Sequence, residues 1–425
     1  LNSSNATVSN CYSSTTATVS GAGSDSGAGG AIGHRYSSGT GSISNTYWNS
    51  DLTATGSSGT STGLTAKTTA DMQAAAFVTL LNDNKGDYKT WIADIGINSS
   101  YPIHERQSAP VGATWTQLEG SNRYGTMAAI VAKGFASADT VIIATGANYP
   151  DALAAAGLAG IENAPIILTA SATLSPQASS EILRLQPDEA IVIGGPNAVS
   201  ADTFAQIEAL MGDGDVTRVQ GDNRYKTALA IYDAGDTWSR TAIVATGYGF
   251  ADALSISPYA FAHESPVFLT GGANGTTGLD DVTKAALTTT NFDQVIIVGG
   301  PNAVSEDTEA YLNDIFGDDD VVRLQGDNRY KTSAAIATYV LDNDNLGANK
   351  MAVATGLNFP DALAGSTLCG KNTSVLLLID DTDKGLFCVD GIIADNKADI
   401  HQGYFLGGDN AISLVLQAKV RAACE

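Results

Sequence analysis

Gly221-Asp222-Asn223-Arg224-Tyr225 stands three times in this chain. The same five positions read Gly120-Ser121-Asn122-Arg123-Tyr124 on one side and Gly326-Asp327-Asn328-Arg329-Tyr330 on the other, at offsets of 101 and 105 residues. Two more motifs follow in fixed order. Ala144-Thr145-Gly146 leads to Asp151-Ala152-Leu153, and returns as Ala245-Thr246-Gly247 with Asp252-Ala253-Leu254 and as Ala354-Thr355-Gly356 with Asp361-Ala362-Leu363. Gly194-Gly195-Pro196-Asn197-Ala198-Val199-Ser200 recurs unchanged at Gly299 to Ser305, and loosely from Gly407 to Ser413. Self-similarity at this period means one structural unit used three times.

Each copy reads as alternating helices and strands. Asn122-Arg123-Tyr124 opens an Ala-rich helix running to about Gly134. Val141-Ile142-Ile143-Ala144, Pro165-Ile166-Ile167-Leu168 and Ala190 to Ile193 are short apolar runs, the mark of strands buried on both faces. Between them, Asp151 begins a small-residue helix and Ser175 to Leu185 forms another. Ser200 N-caps a helix to Met211, with Asp202 favourable in its first turn. Val216 to Val219 then leads as a strand into the next copy. This order predicts a parallel, doubly wound sheet in each α/β unit.

Residues 1–108 differ. Val8-Ser9-Asn10-Cys11-Tyr12 is echoed 35 residues later by Ile43-Ser44-Asn45-Thr46-Tyr47, across Gly/Ser/Ala-rich sequence containing Gly30-Ala31-Ile32-Gly33. Short strands at a fixed period suggest parallel β-solenoid coils, with a low-complexity linker as the other reading. Thr69 to Asn82 is expected to form one amphipathic helix, with Met72, Ala76, Phe77, Leu80 and Leu81 on one face. Trp91-Ile92 and Tyr101-Pro102-Ile103 read as a closing strand pair, the lid a solenoid end needs.

Composition bounds the function. The chain has 425 residues and a net charge of −23. Residues 1–109 carry five Lys/Arg against seven Asp/Glu, and residues 110–425 carry 17 against 38. So acidic a surface repels nucleic acid and anionic membranes. No apolar run approaches the roughly 18 residues of a membrane span. The chain starts at Leu1, which reads as a processed or truncated piece of a longer protein. Low aromatic content with abundant Gly, Ala, Ser and Thr points to tight backbone packing, not to an aromatic-lined pocket. The four Cys lack metal spacing and the four His are isolated. Cys369, Cys388 and Cys424 allow one disulfide and one spare thiol, the pairing left open.

The triple-copy portion, about residues 116–425, resembles the type-2 cell-wall-binding repeat family of Gram-positive surface proteins. The resemblance is carried by the Gly-x-Asn-Arg-Tyr, Ala-Thr-Gly…Asp-Ala-Leu and Gly-Gly motifs. It implies three Toprim-like subdomains about a pseudo-threefold axis, held non-covalently by an anionic secondary wall polymer of teichoic type. Pro165-Ile166-Ile167-Leu168 and Pro266-Val267-Phe268-Leu269 match a motif the family associates with retention; Ser374-Val375-Leu376-Leu377 lacks the proline. Residues 1–108 look like the last coils and cap of a GLUG-motif β-solenoid, as in large adhesins. The expected layout is coils over 1–62, cap over 63–108, linker over 109–115, and repeats over 116–217, 218–322 and 323–425. The implied place is the cell surface, outside the membrane.

Arg123, Arg224 and Arg329 hold equivalent places, and a guanidinium fork suits phosphate or carboxylate. A salt bridge across the repeat junction, to Asp151, Asp252 or Asp361, explains them equally well. Lys226 and Lys331 follow two of the three; the first copy has Gly125 and Thr126 there. Candidate polymer ligands are thus Arg123, Arg224, Arg329, Lys226, Lys331, Asn122, Asn223 and Asn328, and the first copy is expected to matter least. The aspartates are expected to N-cap their helices. No acid/base or metal set recurs, so an enzyme is not expected, a wall-modifying hydrolase being the weaker alternative. The Gly-Gly motif lacks the spacing of a nucleotide cradle. Asp213-x-Asp215 and Asp318-Asp319-Asp320 read as solvated turns. No cofactor is expected, with bridging Ca2+ a minor option. Self-assembly as a surface layer without a glycan ligand is the second reading.

Overall fold

The computed structural model describes residues 7–13, 42–52, 64–82, 91–92, 103–104, 113–271, 278–343 and 346–425. It divides into two compact units, Leu1–Val111 and Gly112–Glu425. Gly30-Ala31-Ile32-Gly33, Tyr101 and Pro102 lie outside the described residues.

In the first unit, β1 (Thr7–Ser13), β2 (Ser42–Asn49) and β3 (Leu64–Lys67) form a parallel sheet in chain order. Val8 lies opposite Ile43 and Tyr12 opposite Tyr47, so the 35-residue echo is a strand register. The expected single helix is two, α1 (Thr69–Gln73) and α2 (Ala75–Asn82), because Ala74 is extended between them. A capping box between Thr68 and Asp71 fixes the start of α1. The break divides the expected apolar face. Met72, Phe77 and Leu81 are buried against Tyr47, with Phe77 edge-on to Tyr12 and Tyr47, while Ala76 and Leu80 face solvent. The strand pair is present as β4 (Trp91–Ile92) antiparallel to β5 (Ile103–His104).

The second unit opens with β6 (Thr114–Leu118), α3 (Arg123–Gly134) and β7 (Thr140–Thr145). A short 3-10 turn at Ala152–Ala154 leads into α4 (Ala155–Ile161), then β8 (Ile166–Thr169), α5 (Pro176–Leu185), β9 (Glu189–Ile193), α6 (Ala201–Met211) and β10 (Asp215–Val219). The second repeat runs through α7 (Arg224–Ala234), β11 (Thr241–Thr246), α8 (Ala251–Ala262), β12 (Val267–Thr270), α9 (Asp281–Thr289), β13 (Gln294–Val298), α10 (Glu306–Phe316) and β14 (Val321–Leu324). The third has α11 (Arg329–Asn343), β15 (Gly347–Thr355), α12 (Pro360–Lys371), β16 (Ser374–Ile379), a π-helical turn at Val389–Ile393, β17 (Gln402–Leu406) and α13 (Leu414–Ala423).

Three parallel four-stranded sheets result, in the orders β8-β7-β9-β10, β12-β11-β13-β14 and β16-β15-β17-β6. Each reverses direction of winding between its first and third strands, the topological switch point of a doubly wound fold. Strands β7, β8 and β12 are apolar on both faces, as their runs predicted, and every residue of each is buried. The Pro165 and Pro266 motifs are therefore core strands.

The sheets do not respect repeat boundaries. Each is completed by the strand that leads into the next Asn-Arg-Tyr helix, so β10 and β14 straddle the expected boundaries. The third sheet has no following repeat. Its fourth strand is β6, from the start of the triplet, paired residue by residue with β17 from Thr114 opposite Gln402 to Leu118 opposite Leu406. The triplet is thereby a closed ring. Trp115 clamps the closure. It stacks on Phe405 at 4.8 Å between ring centroids, donates its indole N–H to the Cys424 sulfur at 3.4 Å, and covers Gly403, where a Cβ would meet its ring at 2.2 Å.

The expected disulfide is absent. Cys369, Cys388 and Cys424 are three separate buried thiols. The Cys388 thiol donates to the Tyr330 carbonyl, the Cys424 sulfur accepts from the Trp115 indole N–H, and burial pushes the Cys369 and Cys388 thiols up to about 12. Each sulfur is buried in its own local packing.

Replacing Trp115 by Ala should cost about 3–5 kcal/mol, the usual range for an emptied buried Trp site. Urea unfolding of the full chain measures it. A loss below about 1 kcal/mol would mean the ring does not depend on this closure.

Candidate functional site

Three small-residue helices, α4, α8 and α12, pack on one another at the centre of the ring. Their contacts are backbone-close. A Cβ on Gly157 would strike the Ser265 carbonyl oxygen at 2.1 Å, and one on Gly160 would strike that of Phe261 at 2.1 Å. At the head of these helices, equivalent residues meet. Tyr149, Phe250 and Phe359 form a ring cluster with centroids 5.6, 5.5 and 6.3 Å apart. A contact of three equivalent residues places the repeats about a pseudo-threefold axis.

The conserved-looking motifs converge at the junctions between units. Asn122, Asn223 and Asn328 N-cap α3, α7 and α11, each side-chain oxygen accepting two backbone N–H groups. That capping aims the next residue. Arg123, Arg224 and Arg329 donate to the carbonyls of Gly146, Gly247 and Gly356 in their own units. One bond uses one of five guanidinium donors. Arg123 lies near Asp361 and Arg329 near Asp252, each aspartate belonging to the neighbouring unit. Arg224 shares a cavity with Asp151. None of the three guanidiniums makes a contact ion pair among the described residues.

The aspartates do not N-cap. None makes a side-chain cap bond, and Asp151, Asp252 and Asp361 instead turn toward the Gly-Gly turn of their own unit. That turn makes room for them. Gly194, Gly299 and Gly407 have φ of 96°, 104° and 113°, and a Cβ there would sit 2.8, 2.6 and 2.6 Å from the aspartate Oδ2. Burial pushes the Asp252 carboxyl up to about 6, against the opposing pull of Arg329 and a Thr332 hydrogen bond. Burial likewise pushes Asp361 up to about 6, with Arg123 opposing.

The lysines stand apart. Lys226 pairs with Asp280 at 2.9 Å and Lys331 with Asp327 at 2.7 Å. Residues the sequence reading missed complete the junctions. Arg218 and Arg323 donate to the Gly194 and Gly299 carbonyls, and Gln117 does the same to Gly407. All three lie six residues before the junction arginines, so aligning the copies a little further upstream would have found them. Gln220 and Gln325 lie against Gly195 and Gly300, and Glu119 against Gly408.

Two junctions open into cavities. That between the first and second units holds about 290 Å3 around Asn148, Asp151, Asn197 and Arg224. That between the second and third holds about 900 Å3, and Tyr149, Tyr248 and Phe250 line it beside Asp252 and Arg329. The expectation against an aromatic-lined pocket therefore fails here. Few aromatics suffice when the ring axis gathers one from each unit.

The raised carboxyls fix a pH dependence. A group whose folded pKa of about 6 exceeds its ordinary 3.8 stabilises the fold fully below about pH 3.8 and loses that contribution as pH rises through 6. Asp252→Asn and Asp361→Asn should each gain about 1–3 kcal/mol over the unchanged chain between pH 4 and 7. Urea unfolding at both pH values measures the difference; one that stays flat would remove the burial argument.

Comparison with known proteins follows the same residues. The pattern of the family described as cell wall binding domain 2 (CWB2) matches residues 117–204, 218–309 and 323–416. The chain is 32 % identical over 262 residues to N-acetylmuramoyl-L-alanine amidase LytC of Bacillus subtilis, 62 % of this chain and 49 % of that protein. It is 31 % identical over 267 residues to the amidase enhancer of the same organism, 63 % of this chain and 35 % of that protein. The chain thus spans half or less of these relatives. Among solved structures, Cwp8 from Clostridium difficile superposes with a TM-score of 0.64 at 27 % identity, over 73 % of this chain and 52 % of that one. Cwp6 from the same organism gives 0.64 at 22 % identity, over 78 % and 51 %, a likeness of fold. With three matches covering well over half its length, each holding one Asn-Arg-Tyr, one Asp-Ala-Leu and one Gly-Gly motif, the chain belongs to the cell wall binding domain 2 family.

Proposed function

We propose that the triplet anchors a surface protein to the wall of a Gram-positive bacterium by non-covalent binding of an anionic secondary wall polymer. The observation that carries this is the repeated junction, where each guanidinium donates one backbone bond, with Arg224 and Arg329 lining the cavities at the switch points. Family membership supports the wall as the source of ligand. Arg123, Arg224 and Arg329 are the anion-binding groups in this reading. Asn122, Asn223 and Asn328 position them, and Lys226 and Lys331 tune the local field from their ion pairs. Several weak sites along one polymer add through effective concentration. The surrounding charge is strongly negative, so attraction is confined to within about one Debye length of each arginine. No cofactor enters this reading, and neither does catalysis; the units are Toprim-like without the carboxylate set of such enzymes in their motifs.

In the same reading the first unit is the end of a β-solenoid stalk or adhesin with its cap. Consecutive parallel strands in chain order, with partners 35 residues apart between β1 and β2 (Thr7 opposite Ser42) and 18 apart between β2 and β3 (Thr46 opposite Leu64), support it.

Sedimentation of the full chain with isolated Gram-positive walls, before and after chemical removal of secondary polymer, tests the anchoring. Retention should be lost with the polymer; absence from both wall preparations would end the proposal, and ordered sheets without wall would favour self-assembly. Arg224→Glu and Arg329→Glu should each weaken retention about 10- to 100-fold, the worth of a charge-assisted hydrogen bond. Arg123→Glu should do less, and equal losses at all three would contradict that ranking.

A further inference from the structure

The three junctions are unequal, and the inequality identifies the ligand more closely. It takes the wall as the source of the ligand from the reading above, while the ligand's chemistry is argued from the cavity itself. The cavity between the second and third units, about 900 Å3, lies at the upper end of ligand-sized sites, roughly 300–1,000 Å3. Its neighbour between the first and second units, about 290 Å3, falls just under the lower end. Arg329 is exposed, whereas Arg123 and Arg224 are half-buried. At the junction closing the ring, Glu119 replaces Gln220 and Gln325, and Asp409 replaces Pro196 and Pro301. Glu119, Asp361 and Asp409 there put three carboxylates around Arg123 and its Gly-Gly turn. Of the three junctions, that one is the least favourable for an anion.

One side chain has no counterpart in the other units. Tyr248 follows Gly247, where the first and third units carry Ala147 and Leu357. It lines the large cavity and is 60 % exposed. It is nevertheless held in place. Its carbonyl accepts the Tyr149 hydroxyl at 3.0 Å, its hydroxyl lies near that of Tyr225, and the Arg224 guanidinium lies 5.7 Å from its ring centre. An aromatic ring flanked by a guanidinium yet left in water is poor core material and a good platform for an apolar face that also carries hydroxyls. The amides of Asn302, Gln325 and Asn328 border the same space. Amides beside an aromatic platform suit a sugar, and one guanidinium suits one anionic substituent.

We propose that the cavity between the second and third units is the principal ligand site, and that it takes a pyranose of an acidic glycan, stacked on Tyr248 with its anionic group toward Arg329. A densely charged polyphosphate is a poorer fit. It would bring several negative charges to one arginine beside Asp252 and Asp327, on an already acidic protein.

Calorimetric titration of the full chain with tetragalacturonate as the acidic pyranose probe tests this directly, with maltotetraose and a glycerol phosphate oligomer as comparison arms. The expected result is one equivalent of tetragalacturonate per chain and at least about tenfold weaker binding of the other two. Tyr248→Ala, which places the first unit's own residue at that position, should weaken binding at least about tenfold, as should Arg329→Gln. Tyr248→Phe should stay within about threefold and Arg123→Gln within about twofold. No binding at millimolar tetragalacturonate, three equivalents per chain, equal losses at Arg123 and Arg329, or an unaffected Tyr248→Ala chain would each overturn the inference. Wall retention separates it from the anchoring proposal. Tetragalacturonate binding without wall retention leaves the site standing and removes the anchor, whereas undiminished wall retention by Tyr248→Ala removes the site and leaves the anchor.

Discussion

Everything in the triplet depends on a strand lent across a boundary. Each sheet is finished by a strand whose chain continues at once into the helix of the next unit. A lone repeat would therefore lack its fourth strand and leave the β9-type edge unpaired, at the cost of exposed backbone donors and acceptors. For two units the sequence supplies the missing strand downstream. For the third it comes from the far end, through β6 on β17, with Trp115 filling the seam. The ring is thus a consequence of backbone satisfaction, and the Gly403 vacancy beneath Trp115 shows how closely the seam is fitted.

The same lending builds the sites. Because β10 belongs to one sheet and α7 to the next unit, the turn between them crosses the junction and carries Arg218 on one side and Arg224 on the other. Arg218 binds the Gly-Gly turn of the first unit, and Arg224 binds the Gly247 carbonyl of the second. Two guanidiniums six residues apart thereby tie neighbouring units together through backbone carbonyls. Gln117 stands where the ring closes and makes only the neutral version of this bond. Close helix packing at the axis, through Gly157 and Gly160, brings the junctions near one another and lets Tyr149, Phe250 and Phe359 touch.

Strands and helices of the triplet were legible because each was announced by local chemistry. Apolar runs such as Val141 to Ala144 have one physical use, and Ser200 and Asn122 carry their capping function in their side chains. What was not legible depends on distance in sequence. Sheet membership of β6 depends on a partner nearly 290 residues away, as the Leu118 and Leu406 pairing shows. The aspartates looked like caps because helices follow them, but the positive-φ glycines of another motif give their carboxylates a better place. Three thiols in one repeat allow a bridge, yet all three are free, Cys388 bonded to the Tyr330 carbonyl and Cys424 to the Trp115 indole. The break at Ala74 has no signal in its neighbours; it is seen only in the extended backbone that separates Met72 from Phe77, which packs on Tyr47 and Tyr12.

A carboxylate near the arginine is ill suited to the anion binding proposed for these junctions, and its placement resolves the conflict. The aspartate is close enough to feel the guanidinium but makes no contact pair with it, so an incoming anion has no salt bridge to break. Its recess raises the carboxyl of Asp252 and Asp361 to about 6, so near neutral pH part of each population is already uncharged. An anion drawn to the guanidinium favours the protonated aspartate, and the residual charge penalises a second anion close by. The pair thus sets a ceiling on the charge density a junction accepts. If the junctions bind an anionic wall polymer as proposed, that ceiling rather than raw affinity is what would distinguish a sparsely charged glycan from other polyanions at the same surface.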